Sequence, residues 1–315
     1  MGKDKYKVQN WREYNEGLKQ RGAIRVWINE EALDGWRYQG EKKKGGQRLY
    51  SDLAIEVCLV VRKVYHLGYR QTEGFVRSFF RGVKVALPVP DYSVICRRSA
   101  ALSIELRSKQ GKGAITDIVV DSTGLKVYGE GEWKVRKQGW GKHRTWMKLH
   151  VALDAQSQQV EAVELTENSV DDAEAAKKLI AQVRAVINSF TGDGAYDKAK
   201  LRKCLNQKAC EQSEDILQCI PPRQNAVLDA KGREHLQNRD EDIRAIRRLG
   251  RKQWKVLTNY HQRSKAETFM FRYKIILGGS LQTRESNRQK TEVKVGCKIL
   301  NRMIQIAKPQ SERVA

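Results

Sequence analysis

Ile115-Thr-Asp-Ile-Val-Val-Asp121-Ser-Thr-Gly124 is an apolar, β-branched run that ends on a carboxylate. Its length and composition are those of a buried strand. An acidic side chain where such a strand ends costs free energy unless it binds something. The pattern recurs downstream, where Ala185-Val-Ile-Asn-Ser-Phe190 runs into Thr191-Gly192-Asp193-Gly194-Ala195-Tyr196-Asp197. The glycines flanking Asp193 would let backbone or ligand approach closely. Asp197 reads differently, as the cap of a helix over 198–206.

A third carboxylate, Glu267, lies in Tyr260-His-Gln-Arg263-Ser-Lys-Ala-Glu267, with Lys274 seven residues further on. On a helix, Tyr260 falls at about +20°, Arg263 at about −40° and Lys274 at about −20° relative to Glu267. One narrow stripe then carries a carboxylate, two cations and a phenol. Unpaired charges are almost never buried for packing alone, so such a stripe reads as the wall of an active site. The alternative is a solvated face laced with ion pairs, since Arg263 and Glu267 stand four residues apart.

The chain carries 60 Lys and Arg against 37 Asp and Glu, a formal charge of +23 over 315 residues. That excess is the electrostatic footprint of a nucleic-acid partner. No apolar run approaches the ~18 residues that span a bilayer, and Met1-Gly-Lys-Asp-Lys5 is too polar for a signal peptide. Tyr6 stands where a myristoylation signal has Ser or Thr. The expectation is a cytoplasmic, nucleoid-associated protein with no membrane partner. No Gly-x4-Gly-Lys-Ser/Thr loop is present, so no nucleotide cofactor is expected. Six cysteines lack Cys-x2-Cys spacing, which points to reduced, buried thiols and away from zinc.

Asp121, the Gly-Asp-Gly-Ala-Tyr-Asp context of Asp193, and Tyr260-x2-Arg263-x3-Glu267-x6-Lys274, taken in this order, resemble the bacterial insertion-sequence transposases of the DDE superfamily. The last block matches their tyrosine-arginine-glutamate-lysine signature at every position, and the group it most resembles is the insertion sequence five family. The resemblance implies an α/β fold: an RNase H-like mixed sheet flanked by helices, preceded by a helical N-terminal DNA-binding domain.

On that reading, strands run over 115–121, 144–154 and 159–166, an amphipathic helix over 171–187, and further strands into Asp193 and over 215–220. Domains are expected at 1–110, 111–290 with a small insertion at about 223–259 that is helical around 242–249, and 291–315, where Val293, Ile299, Leu300 and Met303 suit a helix closing over the sheet. In the first domain, helices are expected over 52–65, 68–80 and 91–106. They are compatible with a helix-turn-helix. A plain three-helix bundle is the alternative. Lys42-Lys-Lys44 is either a phosphate contact or a solvated turn.

The chemistry implied is phosphodiester cleavage followed by strand transfer. Two Mg²⁺ or Mn²⁺ ions would serve the attacking and leaving oxygens, and hard cations of this kind take oxygen ligands. The resemblance makes Asp121, Asp193 and Glu267 both catalytic residues and metal ligands. Tyr260, Arg263 and Lys274 would hold phosphate. Lys142 and Arg144 join them as DNA-binding candidates, because the stretch from Lys126 to Lys148 interleaves Arg136, Lys137, His143 and Lys148 with Trp133, Trp140 and Trp146. Tryptophans between two strands more often serve core or hairpin packing than base contact, and His150 reads as a structural or phosphate-facing group. Expected partners are double-stranded DNA, as terminal inverted repeats and target, and further copies of the chain on that DNA. Two alternatives stay open: a metal-dependent nuclease or resolvase on the same fold, and a catalytically silent DNA-binding repressor.

Overall fold

The computed structural model describes residues 5–41, 47–106, 114–127 and 146–314. The chain divides into two compact units, residues 1–104 with 298–315, and residues 105–297.

In the first unit a strand β1 (Lys5–Val8) precedes the helices α1 (Trp11–Gln20), α2 (Ile24–Trp27), α3 (Glu30–Asp34), α4 (Asp52–Val64), α5 (Tyr69–Gly82) and α6 (Tyr92–Ser99). β1 pairs antiparallel with residues 311–314. The last three helices pack together. Ser51 accepts from Ala54 N and Asp91 from Ser93 N, which satisfies free donors where α4 and α6 begin. Burial of Ala54, Ile55, Val57, Cys58 and Val61 makes α4 the centre of the unit. The helix expected over 91–106 stops at Ser99, and residues 102–106 are not helical.

The second unit holds the sheet: β2 (Ile115–Val127), β3 (Trp146–Asp154), β4 (Val160–Glu167), β5 (Val186–Thr191), β6 (Leu217–Cys219) and the short β7 (Ser280–Leu281). Its spatial order is β4-β3-β2-β5-β6, with β7 on the far part of β2. β2, β3 and β4 form an antiparallel meander, and β5 and β6 add in parallel. Helices α7 (Asp172–Gln182) and α8 (Ala199–Gln212) connect the later strands. Three antiparallel strands followed by two parallel ones joined through helices make the RNase H-like mixed sheet that the motifs implied. Ile118, Val120, Ala152 and Ala162 share one core with Ala173, Ala176, Leu179 and Ile180 of α7 and Leu201 and Leu205 of α8.

Three expectations need correction. The helix expected over 171–187 ends at Gln182, because Val186 and Ile187 join β5, where the Gln212 side chain bonds both N and O of Ile187. Asp121 does not end its strand: β2 continues to Val127, because β3 pairs with it as far as Lys126↔Trp146. The helix expected near 242–249 is α9 (Gln237–Leu257), broken at Gly250 with φ 80° and ψ 154°. Beyond it come α10 (Ser264–Arg272) and α11 (Ser286–Ile306), then β8 (Ser311–Val314), the partner of β1. Residues from 298 onward group with the first unit. No helix among the described residues is long and apolar enough to cross a membrane.

Candidate active site

β2 is buried on both faces over 118–120 and half-buried over 121–124. Its parallel pairing with β5 stops at Val119↔Thr191. Asp121 and Asp193 each lie two residues past that pair, so register alone sets them at one level on neighbouring chains. Ser122 N donates to Asp121 Oδ1 at 2.9 Å, and Ala195 N to Asp193 Oδ1 at 2.8 Å. Of the two glycines beside Asp193, Gly192 is the one required for space. A Cβ there would sit 2.9 Å from the Tyr196 ring and 3.1 Å from Val120, whereas at Gly194 the nearest atom is 3.6 Å away.

Alternation along β2 puts Asp121 on the face opposite Val120 and the α7–α8 core. α10 contacts β2 and β3. It anchors through buried Ala266, Phe269 and Met270, and Lys265 Nζ donates to Ala155 O at 2.7 Å. Arg263, at the start of α10, reaches both ways: Nη1 lies 2.7 Å from Glu267 Oε1 and Nη2 lies 3.9 Å from Asp121 Oδ2. Burial raises the Asp121 pKa and the charges of Asp193 and Glu267 add to that, while Ser122 N and Arg263 oppose it. Burial works against the Arg263 charge, but Tyr260, Asp121, Glu267 and Asp193 together hold its pKa above the usual value. Burial also raises the Tyr260 hydroxyl, helped by the same three carboxylates.

Asp121 and Glu267 therefore share one guanidinium, and the charge of Asp193 acts on it as well. Among the described residues, no group of three His, Cys, Asp or Glu side chains stands close enough to hold a metal ion. The donor chemistry suits a hard divalent cation, but the cation paired with Asp121 and Glu267 is Arg263. The expected single helical stripe is divided: Tyr260–Arg263 is a 3₁₀ turn, Ser264–Arg272 is α-helical and Tyr273–Leu277 is a π-helical turn. Lys274 is exposed on that last turn, and no ion pair joins it to the carboxylates among the described residues. Lys142 and Arg144 lie outside the described residues, as do Lys42-Lys-Lys44, Arg136, Lys137, His143, Trp133 and Trp140.

Two family models, each described as a transposase DDE domain, match residues 19–130 and 112–302. The chain belongs to the DDE transposase family. DDE transposases generally use divalent metal ions. Among solved structures, the chain is similar to the piggyBac transposase synaptic complex with hairpin DNA, at 14% identity and TM-score 0.44 over 89% of this chain and 73% of that one. It is also similar to the Drosophila P element transposase strand transfer complex, at 9% identity and TM-score 0.34 over 94% of this chain and 86% of that one. Likeness at this level adds nothing to the fold read from the strand order.

Two polar clusters in this transposase escaped the sequence reading. On the α7 side, Asp172 Oδ1 accepts from Ser122 Oγ (3.3 Å) and Lys148 Nζ (3.2 Å), and His150 Nδ1 lies 3.7 Å away. His150 is fully buried, and burial pushes its pKa down to about 4, against the pull of Asp172. Its role is structural, with Nε2 at 2.9 Å from Thr166 Oγ1. The second cluster surrounds Asp197, which does not cap the next helix. Lys198 occupies the cap position, and Asp197 instead accepts from Arg202 and Arg239. Arg239 is 42 residues from Asp197, and no local motif signals such a pairing. Of the cysteines, Cys58, Cys219 and Cys297 are buried thiols as expected, but Cys210 is exposed.

Proposed function

We propose that this transposase, of the insertion sequence five type, binds the terminal inverted repeats of its element, cleaves there and transfers the 3′ hydroxyl ends to target DNA. Asp121, Asp193 and Glu267 would hold two Mg²⁺ or Mn²⁺ ions. The supporting observation is that Asp121 and Glu267, from a strand and a helix across it, share one guanidinium on which the charge of Asp193 also acts, and that Asp193 lies, like Asp121, two residues past the last β2–β5 pair. Bound divalent cations would supply Lewis-acid stabilisation of the attacking and leaving oxygens.

The chain's own residues do the rest. Arg263 offers a planar fork suited to phosphate oxygens, and its pairing with Asp121 is loose enough to be exchanged for one. Tyr260 stays a neutral hydroxyl at physiological pH and can donate to phosphate. Lys274, Lys142 and Arg144 would follow the DNA backbone as point charges and a further fork. Strand transfer conserves the number of phosphodiester bonds, so no nucleotide hydrolysis is needed. Both element ends would be held in one complex of at least two copies.

The test is cleavage and joining of a duplex carrying the element's inverted repeat, with Mg²⁺ or Mn²⁺. The native chain is compared with Asp121→Ala, Asp193→Ala and Glu267→Ala. The expected result is joined product from the native chain and end binding without cutting from each variant. Cleavage without joining would favour a nuclease, and binding with equal inactivity in all four a silent repressor.

A further inference from the structure

A buried network of charges ties the two halves of the carboxylate site together. Asp193 and Asp197 bracket one turn: Asp193 accepts from Ala195 N, and Asp197 N donates to Gly194 O at 3.3 Å. The Asp197 side chain is 2% exposed and accepts from Arg202 Nε (3.3 Å) and Nη2 (3.2 Å) and from Arg239 Nε (3.2 Å). Arg202 is itself fully buried and also donates to Ile220 O at 3.0 Å, where β6 ends. Its Nη2 lies 3.9 Å from Asp242 Oδ2, and Asp242 Oδ1 accepts from Trp254 Nε1 at 2.9 Å. The Trp254 ring stands 5.8 Å from the ring of Tyr260, which opens the segment leading to Arg263 and Glu267.

α9 spans this gap only because it is broken. Twelve helical residues would separate Asp242 from Trp254 by about 18 Å, yet the two side chains are hydrogen-bonded. The positive φ of Gly250 turns the second arm back along the first. The first arm then grips the Asp193 turn through Arg239, and the second backs the Tyr260 turn through Trp254.

Stability does not account for the network. Buried ion pairs are often matched or beaten by well-packed apolar residues, because desolvation cancels the attraction. What fixed charges of opposite sign do well is hold one geometry, and a planar guanidinium does so along two bonds at once. We propose that Asp197, Arg202, Arg239, Asp242 and Trp254 are positioning residues, a truss that sets the Asp193 turn against the Tyr260–Glu267 segment. The proposal rests on the carboxylate site of the preceding section.

The test uses the full chain and two mild variants, because Asp197→Ala would leave the buried Arg202 without its nearest carboxylate. Arg239→Met removes a side chain that is 18% exposed and leaves Arg202 on Asp197. Trp254→Phe keeps a ring on Tyr260 and removes the donor to Asp242. Amide hydrogen exchange and Mn²⁺ affinity are measured on both, with thermal melting as the check on folding. In each variant, exchange over 193–197 and 260–263 should rise together while the rest of the sheet stays native. Mn²⁺ affinity should fall by about 10-fold, the usual loss when a group that orients a metal ligand is removed. Arg239→Lys should recover part of both. Native exchange in either segment overturns the truss, and so does native Mn²⁺ affinity beside raised exchange. If the native chain itself fails to bind Mn²⁺, the metal reading of the site falls, and the exchange data alone decide the truss.

Discussion

Glu267 and Asp197 each face an arginine, but in opposite settings. Glu267 is 54% exposed and shares Arg263 with Asp121, which lies 3.9 Å from the guanidinium. Asp197 is 2% exposed, and two guanidiniums hold it from two elements. In the first setting water can replace the partner at little cost; in the second it cannot. The same two residue types therefore make an exchangeable pair where substrate would enter and a fixed strut behind it. Burial, more than residue identity, separates the carboxylate open to exchange from the one held fixed.

Removing one member from each pair should expose that difference. Asp197→Ala leaves a fully buried Arg202 short of its main partner and should destabilise by roughly 3–5 kcal/mol, read by urea unfolding. Glu267→Gln should change stability by no more than ~1 kcal/mol, while strand cleavage drops by more than the ~100-fold typical of groups one step removed from a metal. Equal stability losses for the two would erase the distinction.

Gly192→Ala lies between them in size. Its methyl group would press on Tyr196 and Val120, an overpacking cost of about 1–3 kcal/mol, and would tilt the Asp193 turn. Ala at Gly194 meets only Pro221 O at 3.6 Å and should be nearly silent in the same unfolding experiment.

The smallest effects are in the pH dependence. Burial raises the Asp242 pKa from 3.8 to about 6, so its contribution is fully present below about pH 4 and is lost as pH rises through 6. Asp242→Asn should therefore remove a fall in stability across that window. His150 has the opposite sign. Its pKa is lowered from 6.5 to about 4, so its contribution holds above pH 6.5 and is lost as pH falls through 4. His150→Gln should flatten the acid side. Melting curves from pH 4 to 7.5 check both, and shifts in the same direction would contradict the assignments.

The three carboxylates stand out in the sequence because each carries a local signal: a β-branched run before Asp121, glycines around Asp193, and the spacing from Tyr260 to Lys274. The sheet is what the family resemblance implies, and the apolar runs fit its strand order. Asp121 was placed at the end of its strand because Ser122-Thr-Gly124 looks like a turn, whereas pairing with β3 carries the strand past it. The helix read over 171–187 is too long because Val183, Ala185, Val186 and Ile187 are apolar at either period, and only the pairing of Val186 and Ile187 with β2 makes those two strand residues. The truss was unreadable, since its bonds join residues up to 42 positions apart and depend on a backbone reversal at Gly250.

The most direct test of the central claim is a crystal structure of the chain soaked in Mn²⁺, read by anomalous scattering. The account predicts manganese between Asp121 and Asp193 with Glu267 turned toward it, Arg263 swung away from Asp121, and the Asp197–Arg202–Arg239 contacts unchanged. Manganese bound elsewhere, with Arg263 still between the carboxylates, would contradict it.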